Sequence, residues 1–67
     1  MSVGDEPTPQ TRKLLLLMAA GATDRAIARE LGVSERTICR RIARLEHKLG
    51  AQTRFQLGVL AATNGWL

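Results

Sequence analysis

A short turn followed by a two-sided helical pattern, at residues 32–49, constrains this 67-residue chain more than any other feature. Gly32 suits the left-handed position at which a helix commonly ends. Ser34 lies where an N-cap belongs, so its hydroxyl can accept a hydrogen bond from the backbone N–H of Thr37. The stretch therefore predicts a tight turn that ends one helix and begins the next.

The helix after this turn, at about residues 34–49, is apolar on one side and basic on the other. Apolar residues recur at intervals of four, three and four, which predicts one buried stripe: Ile38, Ile42, Leu45 and Leu49. Arginines recur every four residues on the opposite side, flanked by two more cations: Arg36, Arg40 and Arg44, with Arg41 and Lys48. A helix of this kind, entered through a three-residue turn, is typical of one that lies in a DNA major groove.

Charge and composition favour the same class of partner. The net charge is +4, and residues 25–54 hold eight Lys or Arg against three Glu, an excess of five positive charges. Such an excess favours binding to phosphate groups. A single cysteine cannot form an internal disulfide, so we expect a reducing, cytoplasmic environment. No apolar run approaches the ~20 residues of a membrane span, so no membrane partner is expected.

Three further helices are predicted from their caps and stops. Their expected N-caps are Thr8, Thr23 and Thr53, and their expected ends are about Ala20, Leu31 and Thr63. In the first helix, Leu16 faces away from its apolar neighbours and should be exposed. Residues 1–7 are acidic, small and Pro-containing. They predict a flexible segment or linker remnant before a domain at residues 8–67, with a larger protein upstream.

The last helix has two apolar stripes. One, formed by Leu57, Leu60 and Ala61, should close the core. The other is formed by Phe55, Val59 and Ala62, and Trp66 either continues it or folds back. A helix that is apolar on two sides is deeply buried or has a partner. We therefore predict a homodimer through this second stripe, weak in the isolated domain.

The order of these signals resembles the C-terminal DNA-binding domain of LuxR-type bacterial transcription regulators, such as response regulators of the NarL and FixJ kind. The resemblance covers residues 8–67 and is most specific in the run at residues 23–35, in Leu49-Gly50 and in Thr53-Arg54-x-Gln56. It implies an all-α, four-helix helix-turn-helix domain with a three-helix core and a C-terminal dimerisation helix. It also implies operator or promoter DNA as the partner and a role in transcription regulation, without a cofactor.

Several residues depart from the family pattern. Where the family usually has Leu-Thr-x-Arg-Glu, this chain has Pro-Thr-Pro-Gln-Thr at residues 7–11. Cys39 and Arg41 stand where Lys and His are frequent, and Ala43 where a longer side chain is frequent. These changes bear on the operator sequence rather than on the fold.

The candidate DNA contacts follow from the helix face and the resemblance. Arg40, near the middle of the basic side, is the candidate for a bidentate contact to guanine. The resemblance assigns Arg41 to the DNA backbone, and Arg36 with Thr37 suits phosphates or an edge base. The remaining candidates lie on the same helix or at the starts of the second and fourth: Thr23, Arg25, Ser34, Cys39, Ala43, Arg44, Lys48 and Arg54.

Capping and plain surface charge explain Thr23, Arg25 and Arg54 as well as a bound phosphate does. A half-buried, inert thiol is the favoured interpretation of Cys39, with redox sensing as the alternative. His47 has no partner at a metal-ligand or catalytic spacing. No nucleophile–base pair, carboxylate dyad or phosphate-binding glycine loop is present, so an enzyme is not expected.

Two other functions fit the pattern. A sigma-factor promoter-recognition domain uses a similar turn and helix, but it does not require a last helix that is apolar on two sides. A protein-interaction module could dock the basic helix on an acidic partner, which a salt-titrated DNA-binding assay would distinguish.

Overall fold

The computed structural model describes residues 7–67, which form four α-helices and no strand. The helices are α1 (Pro9–Ala19), α2 (Asp24–Leu31), α3 (Glu35–Leu49) and α4 (Arg54–Thr63). Their number and order match the prediction, and the end of α1 differs from it by one residue. Apart from Pro7, the predicted linker lies outside the described residues. None of the helices in the described part of the chain is long and apolar enough to cross a membrane.

Each helix begins at the predicted hydroxyl cap. The side chains of Thr8, Thr23, Ser34 and Thr53 each accept a hydrogen bond, at 3.0–3.1 Å, from the backbone N–H three residues further on. At α4 the Gln56 side chain accepts from the backbone N–H of Gln52, at 2.6 Å, so it does not complete a capping box with the Thr53 N–H. These local bonds satisfy N–H groups that have no partner within the helix.

The turn between α2 and α3 is set by Gly32, whose φ of 70° is in the left-handed region. Its backbone N–H donates to the Arg29 carbonyl at 3.4 Å, and the Val33 N–H donates to the Ala28 carbonyl at 3.0 Å. This pair of bonds is the Schellman arrangement, which turns the chain sharply and brings the next residue back onto the helix. As a result only three residues separate the end of α2 from the start of α3.

The helices enclose one small core. α2 packs against α1 and α3, and α4 packs against α3 and α1, so every helix has two neighbours. The buried side chains come from all four helices and the residues after α4: Leu14, Leu15, Ile27, Ala28, Ile38, Ile42, Leu57, Ala61 and Trp66. Full burial of a side chain such as Ile38 contributes about 1.5–3 kcal/mol, which is large for a domain of this size.

Trp66 departs from its assignment to the outer stripe of α4 and takes the other predicted position. It does not extend the outer stripe of α4; it folds back into the core and is only 8% exposed. The reason is the turn at Gly65, where the Trp66 N–H donates to the Ala61 carbonyl at 2.7 Å. This bond is the Schellman arrangement again, and it places the side chain after the glycine against the last turns of the helix.

The other outward and inward assignments can be compared directly. Leu16 is 52% exposed, as predicted. In α4, Leu57 and Ala61 are buried and Leu60 is half-buried, whereas Phe55 is 84% exposed. The expected two-sided character of α4 is therefore confirmed for the described residues, apart from Trp66.

Candidate nucleic-acid interface

The two sides of α3 differ in burial as well as in chemistry. Ile38 and Ile42 are buried, at 0% and 2% exposure, and hold the helix against α2 and α4. The side facing solvent forms one continuous exposed strip: Arg36, Cys39, Arg40, Ala43, Arg44, His47 and Lys48. The structure thus brings six of the twelve predicted contact residues together on one accessible surface.

Three arginines of that strip, Arg36, Arg40 and Arg44, are called here the basic face. None of them has a hydrogen bond or ion pair to any residue in the part of the chain from 7 to 67. Ion pairs elsewhere in the fold join Arg25 to Glu35 and Arg54 to Asp24. The basic face therefore keeps its full positive charge toward solvent.

Arg41 lies beside the basic face but is held by another helix. It is half-buried, and its Nη1 donates to the Gln10 Oε1 of α1 at 3.0 Å. Gln10 was not among the residues predicted for the site. The two positions are 31 residues apart, so no local pattern could have paired them.

Arg54 is also held by a long-range contact. Its Nη1 and Nη2 donate to the two carboxylate oxygens of Asp24 at 2.6 and 2.8 Å. The hydrogen bond from Arg54 lowers the pKa of Asp24 below its ordinary value, and Asp24 raises the pKa of Arg54 in return. The pair joins the start of α4 to the start of α2. Its carboxylate offsets much of the charge that Arg54 could offer to DNA.

Cys39 differs from the half-buried thiol that was predicted. It is exposed, and its Sγ donates to the Asp24 Oδ2 at 3.4 Å. The reason is its position on α3, where it faces the polar start of α2 rather than core side chains. The contact places the middle of α3 next to the N-terminus of α2.

The remaining predicted residues surround this strip with their own local contacts. Thr23 and Ser34 cap helices, and the Ser34 hydroxyl donates to that of Thr37 at 3.0 Å. Arg25 pairs loosely with Glu35 at 3.7 Å, with both side chains largely exposed. Lys48 lies over the ring of Trp66, 5.8 Å from its centroid. The hydroxyls at the starts of α2 and α3 thus act first as caps.

The surface offers charge, hydrogen-bond donors and a protruding helix rather than reactive groups. Within residues 7–67, no three His, Cys, Asp or Glu side chains are grouped so that they could hold a metal ion. Arginine side chains on an exposed helix can form bidentate hydrogen bonds with phosphates or with guanine. The arrangement is therefore suited to contact a polyanion.

Comparison with known proteins agrees with this geometry. Residues 6–53 match the family described as the homeodomain-like domain, a match that spans α1–α3 and ends at the cap of α4. The bialaphos biosynthetic pathway regulatory protein of Streptomyces hygroscopicus is 53% identical over 49 residues. That alignment covers 73% of this chain but only 19% of the relative. No solved structure matches the chain.

The family match covers most of the chain and includes the α2–turn–α3 unit that carries the basic face. The chain therefore belongs to the homeodomain-like family of helix-turn-helix domains.

Proposed function

We propose that this chain is the double-stranded DNA-binding domain of a bacterial transcription regulator of the LuxR type. α3 inserts into the major groove, and α2 braces it across the DNA backbone. The domain recognises an operator or promoter site as part of a longer protein with an upstream regulatory domain. The similarity to a pathway regulatory protein, of which the alignment covers only 19%, supports a DNA-binding module within a larger regulator.

The basic face is the observation that carries this proposal. Three arginines on the exposed side of α3 have no anionic partner within residues 7–67, although acidic side chains pair with arginines elsewhere in the fold. Three unpaired charges held on one rigid helix, directly after the turn from α2, match the spaced negative charges of a DNA backbone.

The arginines have different roles in this proposal. Arg40, central on the exposed strip, forms a bidentate contact with guanine. Arg36 and Arg44 lie at the two ends of the basic face and contact phosphates. Arg25 and Arg54 already have carboxylate partners, so they contribute less to binding than the basic face does. Arg54 acts mainly by fixing α4 to α2.

The proposed dimer uses the outer face of α4, defined by Phe55, Val59 and Ala62. Phe55 and Val59 are exposed large apolar side chains, at 84% and 49%, and such a cluster favours burial against a partner. Pairing this face with its symmetry mate gives a self-complementary two-fold contact. It sets two copies of α3 roughly 34 Å apart, on an inverted-repeat site. One short helix pair buries little area, so the dimer is weak without DNA.

Val59→Glu tests the dimer. We expect the variant to fold and to keep its affinity for a single half-site, because Val59 lies outside the core. Cooperative binding to a two-half-site operator should be lost. Cooperativity equal to that of the wild type would assign dimerisation to another surface, with the exposed Leu16 side of α1 as the next candidate.

A salt titration of duplex binding tests the DNA-binding function. If each monomer neutralises about four phosphates, the logarithm of affinity should fall against the logarithm of salt with a slope near −3.6. Site selection from random duplex DNA then gives the operator. A flat salt response would overturn DNA binding and leave an acidic protein as the partner of the basic face. Selection of a promoter −35-type element only in the presence of RNA polymerase would favour the sigma-factor alternative.

A further inference from the structure

A second basic feature lies beside the basic face, in a cavity of about 330 Å³ between the start of α1 and the later turns of α3. α3 contributes three cations to its wall: Arg41, Arg44 and Lys48. α1 contributes three polar side chains near its N-terminus: Thr8, Gln10 and Thr11. We call this cavity the flank pocket. It is concave, whereas the basic face is a protruding surface.

The described residues that line the flank pocket include no carboxylate. The first turn of α1 carries no acidic residue either. The N-cap Thr8 and the first-turn residues Gln10 and Thr11 line the pocket, so the positive end of α1 borders the same space as the arginines. The guanidinium groups of Arg41 and Arg44 share this concave wall, where they create a local positive potential that attracts an anion.

The hydrogen bond from Arg41 to Gln10 holds the Arg41 side chain in place in the flank pocket. The Gln10 Oε1 accepts from Arg41 Nη1 at 3.0 Å, which fixes one edge of the guanidinium. Since an amide carries no charge, the bond orients Arg41 without neutralising it. The other guanidinium N–H groups are left to bind an anion, and a carboxylate at this position would instead compensate the charge.

We propose that the flank pocket binds a backbone phosphate of the DNA, with Arg41 and Arg44 as its ligands and Gln10 as the residue that positions Arg41. Arg44 belongs both to the pocket wall and to the basic face, so a DNA strand that borders the groove occupied by α3 passes the pocket. This assignment rests on the proposed DNA-binding function. It adds α1, through Gln10, to the surface that sets the position of α3 on the duplex.

The test is Gln10→Glu, with Gln52→Glu as the matched control. Both substitutions change the net charge by the same amount, but Gln52 is exposed in the turn before α4 and is not part of the pocket. Loss of one phosphate contact should weaken binding to every duplex by a similar factor, about five- to tenfold near 0.1 M salt. The slope against salt should become shallower by about one. Gln52→Glu should stay within about twofold of the wild type.

Thermal unfolding of Gln10→Glu would reveal whether the substitution damages the fold. Gln10→Glu adds an acidic group to the first turn of α1 and faces Arg41, so it should be at least as stable as the wild type.

A second experiment measures phosphate binding directly. The wild-type amide resonances of Thr8, Thr11 and Arg41 should shift on titration with inorganic phosphate at constant ionic strength. The same resonances should not shift in Gln10→Glu.

The outcomes separate the pocket from the proposed function. Steep salt dependence in the wild type, with Gln10→Glu and Gln52→Glu indistinguishable, would overturn the pocket and leave the basic face as the DNA-binding surface. A wild type that binds no duplex would overturn both proposals. Phosphate-dependent shifts at the pocket, combined with unchanged DNA binding in Gln10→Glu, would overturn the assignment to DNA and identify a site for free phosphate.

Discussion

Helices α3 and α4 bury similar faces and expose opposite ones. Each places fully buried side chains against its neighbours, such as Ile38 in α3 and Leu57 in α4. On the outside, α3 carries the arginines of the basic face, whereas α4 carries Phe55 and Val59. The core therefore buries only one side of each helix, and the other side is exposed and can contact a partner.

The outer faces also differ in how they behave in water. Exposed arginines are well solvated, so the basic face can remain in contact with water when no anion is bound. Exposed large apolar side chains are hydrated unfavourably, so the outer face of α4 favours a protein partner at all times. In the proposed function, this difference assigns DNA to one helix and a second copy of the chain to the next.

The largest effect is expected from a substitution on the buried face of α4. Leu57→Ala removes a side chain with no exposed surface and should lower the free energy of unfolding by roughly 2–5 kcal/mol. In a domain of this size that loss is enough to leave much of the chain unfolded at 37 °C. Thermal unfolding followed by circular dichroism measures it. Phe55→Ala, on the outer face of the same helix, is the control and should change stability by less than about 0.5 kcal/mol.

The next largest effect is expected on the outer face of α3. Arg40→Ala should cost roughly 1–3 kcal/mol of specific binding and relax the preference at one base pair. Arg41→Ala should weaken binding to all sequences about equally, because its proposed contact is to phosphate. A panel of operators with single substitutions compares the two. The opposite assignment would show that α3 is rotated in the groove relative to the proposed orientation.

A smaller effect concerns the ion pair that joins α4 to the rest of the domain. Because the pKa of Asp24 is lowered in the folded state, its contribution is present above the ordinary pKa of 3.8 and is lost as the pH falls through the lowered value. Asp24→Asn should reduce stability at pH 7 by up to about 1 kcal/mol, since the pair is partly exposed. The difference from the wild type should shrink below about pH 4.

Melting temperatures of both proteins between pH 2 and 7 give this comparison. Glu30→Gln removes a carboxylate from the same helix, at an exposed position without a partner in residues 7–67, and serves as the control. An Asp24→Asn curve parallel to that of the wild type over the whole range would show that the pair adds no pH-dependent stability.

The smallest effect is expected at Leu16, an apolar residue on the outside of α1. Leu16→Glu should change the free energy of unfolding by less than about 0.5 kcal/mol, because 52% of the residue is already exposed. Chemical denaturation measures the change. A loss of 2 kcal/mol or more would mean that this side of α1 is covered in solution, and it would weaken the contrast between charged and apolar outer faces.

Much of the fold follows from the sequence because its signals are local. Each hydroxyl cap bonds to a backbone N–H three residues away, and the spacing of Ile38 and Ile42 predicts their burial without any knowledge of the neighbouring helix. Even the burial of Trp66 has a local cause, in the backbone hydrogen bond that follows Gly65. An apolar residue directly after a helix-ending glycine is the signal that favours the folded-back alternative for Trp66.

What the tertiary structure alone decided is which arginines are bonded to another helix. Arg54 is paired with a carboxylate 30 residues away and Arg41 with an amide 31 residues away, whereas Arg36, Arg40 and Arg44 have no partner in residues 7–67. In the sequence these arginines look alike, because helical periodicity predicts only which side of its own helix a residue lies on. The distance between side chains on different helices depends on how those helices pack, and packing decides which guanidinium groups are bonded to another helix and which have no partner in residues 7–67.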